Sequence, residues 1–208
     1  MSHRLAHSVE RPLLRFLIPR IAIRDLGPMI GVAIVGAVLA GIYGVVHDQV
    51  TYTISSEYFT KLKFDQFRYA DFGFPERVLV AEIGFLATWW VGLFSGWFLA
   101  RRLLPKQPRG RALRQISIGF AIVFACALLA AGVGFGYGLW RGPGGDYSSW
   151  RSILKLLRIE HEWAFIRVAY IHNAGYLGGL GGLLLALVFL RPDRRQDHDT
   201  STDAELPL

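Results

Sequence analysis

Histidine and carboxylate side chains at the edges of long apolar runs are the groups in this sequence that could bind a metal ion. His47 and Asp48 are adjacent and end an uncharged run from Leu26 to Val46, whereas Glu82 and His172 lie within later apolar runs. Ionisable side chains inside a membrane are energetically costly, so each is a candidate for function. Imidazole and carboxylate donors together suit zinc, copper or iron.

Helical spacing predicts that the histidines face the interior of a bundle. At 100° per residue, His47 lies within about 20° of the face that carries Gly36 and Ala40. His161 and His172 are eleven residues apart, so they also share one face. A site with four ligands would have to draw them from three helices. The candidate metal ligands are His47, Glu82, His161 and His172.

Three interpretations of these polar groups remain open from the sequence. They bind a metal, ion or small ligand; they line a proton or solute route, as His and Glu at helix interfaces often do; or they only hydrogen-bond one another in a membrane assembly or structural protein. No catalytic residue is indicated, and enzyme activity is left open. The wider candidate cluster comprises His47, Asp48, Gln49, Glu57, Tyr58, Glu82, His172 and Asn173.

A transition-metal ion is the cofactor that suits this donor set, and haem suits it less well. Two histidine ligands of a haem need similar depths, whereas the predicted depths of His47 and His172 differ by roughly 10 Å. His47 and His161 match in depth but would leave a haem at the surface. The single cysteine, Cys126, excludes an intramolecular disulfide and a cysteine-based metal site.

Four apolar blocks define the expected architecture. Each is long enough to span a bilayer, which takes about 20 residues. Spanning backbone must satisfy its own hydrogen bonds, so the blocks are predicted to be helices. We therefore expect an all-α membrane protein, a four-transmembrane-helix bundle with interfacial helices. The transmembrane domain is residues 28–190, with spans at about 28–47, 78–100, 113–140 and 163–190.

Shorter elements are expected outside the spans. Residues 1–27 resemble an amphipathic segment on an anionic membrane surface, and residues 191–208 are predicted to form a disordered tail. The aromatic-rich loop after His47 is expected to contain an interfacial helix from about Glu57 to Phe67, with Ser55 or Ser56 as its N-cap. A second interfacial helix is expected at residues 150–162, running on into the fourth span.

Charge distribution indicates the topology. The net charge is +7, and residues 101–114 hold six basic and no acidic residues. Basic loops favour the cytoplasmic side, so both termini are expected there and the loops at 47–77 and 141–162 outside. The basic residues flank apolar blocks without an aromatic recognition motif, so no nucleic-acid partner is expected. The expected partner is the lipid bilayer.

Small residues recur every four positions in two spans and allow close approach of another helix. The sequence leaves open whether that helix belongs to this chain or to a homo- or hetero-oligomer. The glycines at 132–138 predict either a small-residue face or an irregular helix end. The two sets are Gly36, Ala40 and Gly44, and Gly84, Thr88, Gly92, Gly96 and Ala100.

Residues 47–51 (HDQVT) followed by residues 57–60 (EYFT) resemble an HDQ-x-T…EYFT motif in a family of bacterial multi-pass membrane proteins with no assigned activity. The resemblance covers about 14 residues. It implies a location in the bacterial cytoplasmic (inner) membrane and supplies no mechanism. It also implies that His47, Asp48, Gln49, Glu57 and Tyr58 are site residues. The expected function is therefore binding of an ion, metal or small ligand by a cluster on the extracytoplasmic side.

Overall fold

The computed structural model describes residues 21–192, and this part of the chain is helical and contains no strands. Four long helices are connected by short helical segments and turns. Each long helix is long and apolar enough to cross a membrane, which confirms that prediction by length and composition. The α-helices are α1 (Ile23–Ile54), α2 (Ser56–Tyr58), α3 (Phe64–Gln66), α4 (Glu76–Leu103), α5 (Arg109–Arg141), α6 (Arg151–Leu156) and α7 (Glu162–Phe189).

The outer surface of the four long helices is strongly apolar. Leu129, Val133 and Leu177 are each more than two-thirds exposed, and many other large aliphatic and aromatic side chains also face outward. Exposed apolar patches of this extent are rare on soluble proteins. A lipid environment would cover them, as expected for four spans.

The helices α1 and α4 pack antiparallel through the two predicted small-residue faces. Any Cβ added at Gly44 would collide with the backbone of Gly84, and one added at Gly92 would collide with the carbonyl of Gly36. The Thr88 hydroxyl donates a 2.7 Å hydrogen bond to the Ala40 carbonyl between these contacts. The two faces therefore meet each other within one chain.

The helices α5 and α7 form a second close pair. A Cβ added at Gly134 would lie 2.5 Å from the Tyr170 carbonyl oxygen, and one at Gly138 would lie 2.7 Å from the Arg167 side chain. Helix α5 runs without interruption to Arg141. Gly134 and Gly138 thus provide a small-residue face, and the alternative of an irregular helix end is wrong.

A helical segment follows α1 and covers one end of the bundle. It comprises α2, a π-helical turn at Phe59–Lys63, and α3, which confirms the helix predicted from about Glu57 to Phe67. Phe59 is fully buried among aromatic and aliphatic side chains that include Tyr58 and Phe165. Ser55 occupies the N-cap position of α2, but its side chain makes no capping hydrogen bond. We call residues 56–66 the covering segment.

Two predicted boundaries differ from the structure. Helix α1 extends to Ile54, beyond the predicted span end at residue 47, because Asp48 and Thr51 are buried in the bundle rather than starting a loop. The continuous helix predicted at 150–162 is wrong, because α6 ends at Leu156 and Arg158 has a positive φ of 51°. The backbone N–H groups of Glu160 and His161 instead bond to the Glu57 side chain.

The predictions for residues 1–20 and 193–208 lie outside the described residues. They concern most of the amphipathic N-terminal segment and most of the C-terminal tail. Below, the end of the bundle that carries the covering segment is called the covered end. The opposite end, with the turn between α4 and α5, is called the basic end.

Gly44→Ala should lower the free energy of unfolding by about 1–3 kcal/mol, because the added methyl group overpacks the α1–α4 contact. Gly132→Ala is the matched control, since a Cβ there meets nothing within 4 Å. The control should be neutral or slightly stabilising, because alanine favours helix over glycine. Thermal unfolding in detergent measures both. Equal effects of the two substitutions would contradict the packing described for α1 and α4.

Candidate metal-binding site

Three metal-ligating side chains converge inside the covered half of the bundle. His47 and Asp48 lie on α1 and His172 lies on α7. Their ligand atoms all lie within 4.8 Å of one another. The His172 Nε2 atom is 3.1 Å from the Asp48 Oδ1 atom, and both residues are buried. Residues 124 positions apart in the sequence are thereby brought into direct contact.

The predicted depth difference between His47 and His172 is wrong. Their ring centroids are 4.9 Å apart in an edge-to-face arrangement. Because α1 continues for seven residues beyond His47, this side chain lies about 10 Å inside the helix end, by the 1.5 Å rise per residue. The touching rings leave no space between them for a haem macrocycle.

Aromatic rings fix the orientation of both imidazoles. The Tyr43 ring stacks on His47 with its hydroxyl 3.5 Å from the His47 Nδ1 atom. The Tyr58 ring stacks on His172 at 5.0 Å between centroids, with 16° between the planes. Phe59 contacts His172 edge-on. The covering segment therefore packs directly on one of the candidate ligands.

The two nitrogens of His172 have different surroundings. Nε2 faces Asp48, whereas Nδ1 is buried and has no hydrogen-bond partner among the described residues. An imidazole nitrogen left without a partner away from water carries a desolvation penalty of about 1–3 kcal/mol. The site therefore retains an unused donor or acceptor position beside the cluster.

A small cavity adjoins the three side chains at the centre of the four long helices. Its volume is about 60 Å³, which is enough for one ion and one or two waters at roughly 30 Å³ each. Thr88 and Ser95 of α4 and Tyr176 of α7 contribute polar groups to its wall. The cavity can accommodate a metal ion with a non-protein ligand.

Apolar packing closes the bundle between the cavity and the basic end. Leu99, Ile116 and Phe120 are buried there, together with Ala186 of α7. Polar side chains that line the cavity, such as Ser95, do not continue into this cluster. The polar lining thus ends at about Ser95, roughly two-thirds of the way along α4 from the covered end.

Six of the nine sequence-predicted residues lie outside the group of three, and five of them make no hydrogen bond or ring contact with it among the described residues. Gln49 bonds to Arg77, donating from Nε2 to the Arg77 carbonyl at 2.7 Å. Asn173 is exposed, and the His161 side chain is 76% exposed. Glu82 is partly buried, and its Oε2 atom has no partner among the described residues.

Glu57, also predicted for the cluster, instead fastens the covering segment to the start of α7. Its Oε1 atom accepts hydrogen bonds from Lys61 Nζ at 2.5 Å and the Glu160 N–H at 3.0 Å. Its Oε2 atom accepts the His161 N–H at 2.7 Å. Desolvation alone would raise the pKa of Glu57, but these hydrogen bonds outweigh it and lower the pKa to about 2.

Two residues near the site were not singled out from the sequence. Tyr43 precedes His47 by four residues, so the helical i, i+4 spacing could have identified it. Lys63 lies on the π-helical turn with its ammonium 5.8 Å from the centre of the Tyr58 ring. Burial lowers the pKa of Lys63, and the charge of Asp48 opposes that shift. The π-helical turn has no recognisable signal in the sequence.

Comparison with known proteins gives no match to a family model, to a curated protein or to a solved structure.

Replacing Glu57 with Gln should weaken the covering segment and flatten the acid dependence of stability. The folded-state pKa of about 2 lies below the ordinary value of 4.5. The carboxylate therefore stabilises the fold fully above pH 4.5, and this contribution is lost as pH falls towards 2. At neutral pH we expect a loss of about 1–2 kcal/mol from weakened charge-assisted hydrogen bonds.

Thermal unfolding between pH 2 and pH 7 would measure this effect. Glu162→Gln is the control, since that side chain is exposed and makes no hydrogen bond or ion pair among the described residues. If the stability of the Glu57→Gln protein falls with pH as steeply as that of the unaltered protein, Glu57 does not fasten the covering segment as described.

Proposed function

We propose that the chain is a multi-pass membrane protein that holds a divalent transition-metal ion between His47, Asp48 and His172. The observation that supports this most is the convergence of three ligating side chains from two helices on one small cavity. Iron(II) and zinc are the ions that two imidazoles and one carboxylate suit best.

The spacing of the donor atoms is close to that of a tetrahedral metal site. Ligand atoms at 2.0–2.1 Å from such an ion lie about 3.3 Å from one another. The His172 Nε2 and Asp48 Oδ1 atoms are 3.1 Å apart. All three donor atoms are within 4.8 Å of one another. A small rotation of the His47 side chain would therefore bring its imidazole nitrogen to the distance that a shared metal ion requires. The cavity leaves room for water or another ligand at the fourth position.

Charge also favours a bound cation. Asp48 is 4% exposed, and a carboxylate buried away from water needs a compensating positive charge. A divalent ion would supply that charge and use the imidazoles as neutral ligands. Lys63 of the covering segment interacts electrostatically with Asp48, so it is a second source of positive charge for this carboxylate.

A proton or solute route is the second candidate function. Thr88, Ser95 and Tyr176 extend the polar lining of the cavity beyond the three ligands, which favours such a route. The apolar cluster around Leu99 and Ile116 separates that lining from the basic end, which favours a local binding site over a continuous polar route. We therefore place metal binding first.

We further place the protein in the bacterial inner membrane, with the basic end in the cytoplasm. The six basic residues at 101–114 support this orientation by the positive-inside rule. The metal site would then lie in the extracytoplasmic half of the membrane, under the covering segment.

Reporter fusions test the orientation directly. A fusion at residue 60 should report the extracytoplasmic side, and one at residue 108 should report the cytoplasm. The two positions are at opposite ends of α4, so they must lie on opposite sides if α4 spans the bilayer. Signals from the same compartment would contradict four spans.

Purified protein supplied with zinc or iron(II) should retain about one ion per chain after dialysis. His47→Ala and Asp48→Ala should each weaken binding, by roughly 10- to 100-fold or more, the range reported for disturbing even outer-shell groups. His161→Ala is the matched control, because this exposed histidine lies outside the group. Elemental analysis by mass spectrometry gives the stoichiometry.

Equal metal loss in His161→Ala, or no retained metal in the unaltered protein, would overturn the proposal. Proton or solute flux in proteoliposomes that His172→Ala abolishes, without bound metal, would establish the second candidate instead. Retention of α-helical circular dichroism in each variant separates loss of the site from loss of the fold.

A further inference from the structure

An open groove lies on the outer surface between α1 and α5, in the basic half of the bundle. Its volume is about 740 Å³, and its wall includes Gly31 and Val35 of α1 and Leu113, Ile116 and Phe120 of α5. A Cβ atom added at Gly31 would have no atom of the described residues within 4 Å. The missing side chain at this position thus deepens the groove.

The groove is about as long as the hydrocarbon layer of one bilayer leaflet is thick. Along α1 it extends from Pro28 to Leu39, which is about 16 Å at 1.5 Å per residue. Half of a hydrocarbon core is about 15 Å. One extended acyl chain would therefore run along the groove from the basic end towards the bundle centre.

Among residues 21–192, one cationic side chain lines the same groove. Arg109 lies at its basic end, four residues before Leu113. The Arg109 side chain makes no hydrogen bond or ion pair among the described residues. Arg102, by contrast, donates a hydrogen bond to the Leu190 carbonyl. Residues 101–114 contain no acidic residue. The charge at this end is complementary to a phosphate.

We propose that this groove binds an acidic phospholipid, with one acyl chain between α1 and α5 and its phosphate on Arg109. A guanidinium matches phosphate in shape and charge. The aliphatic and aromatic walls provide the chain with apolar contacts. The groove shares Phe120 and Phe124 with the wall of the metal-site cavity, but none of the three candidate metal ligands lines it.

Native mass spectrometry of the full-length protein tests the proposal with two probes that share the same acyl chains. The probes are phosphatidylglycerol, which is anionic, and phosphatidylcholine, which is zwitterionic. The unaltered protein should hold one phosphatidylglycerol roughly fivefold more tightly than phosphatidylcholine. Arg109→Gln should reduce this preference to near parity.

Gly31→Phe should reduce binding of both lipids, because its ring would occupy the groove at a position where an added Cβ meets no described atom within 4 Å. Two controls match these changes. Arg114→Gln removes a charge from the same basic segment but from a residue that does not line the groove. Gly181→Phe adds the same ring on α7, where a Cβ also meets nothing within 4 Å.

Unchanged lipid binding in both control variants, with losses in Arg109→Gln and Gly31→Phe, would support the site. Equal losses in Arg114→Gln and Arg109→Gln would indicate general attraction to basic charge and overturn it. Retention of both lipids by Gly31→Phe would overturn it as well.

Discussion

The contact between Asp48 and His172 is the constraint on which the site depends. The chain forms two close helix pairs, α1 with α4 and α5 with α7, each held by glycine faces that bring backbones together. Asp48 belongs to one pair and His172 to the other. A charged group and an imidazole buried in an apolar bundle must satisfy each other or a ligand. This requirement fixes how the two pairs meet around the central cavity.

The covering segment packs over the same region at the covered end. Tyr58 and Phe59 pack on His172, while Glu57 holds the segment to the residues preceding α7. Glu57 and Tyr58 are neighbours in the sequence but have different roles, because adjacent side chains of a helix point in different directions. One fastens the segment, and the other stacks on the candidate ligand.

Helix number could be predicted from apolar length, and the closely packed faces from small residues such as Gly44 and Gly92. Which helix packs on which face could not be predicted, because any small-residue face can accept a helix of this chain or of another. The inward position of His47 could be predicted from its spacing to Gly36. The proximity of His47 to His172 could not, because it depends on α1 continuing to Ile54. The interruption of the helix at Arg158 could not be predicted either. It is fixed by hydrogen bonds from residues about 100 positions away, such as the one that Lys61 donates to the Arg158 carbonyl.

X-ray absorption spectroscopy of the zinc-loaded or iron-loaded protein tests the central claim most directly. Two imidazole nitrogens and one carboxylate oxygen among the nearest ligands, at about 2.0–2.1 Å for zinc, are the expected result. The His172→Ala protein, loaded at high metal concentration, should show one imidazole fewer. A first shell without imidazole, or the same spectrum in the His172→Ala protein, would contradict a metal site joining the two helix pairs.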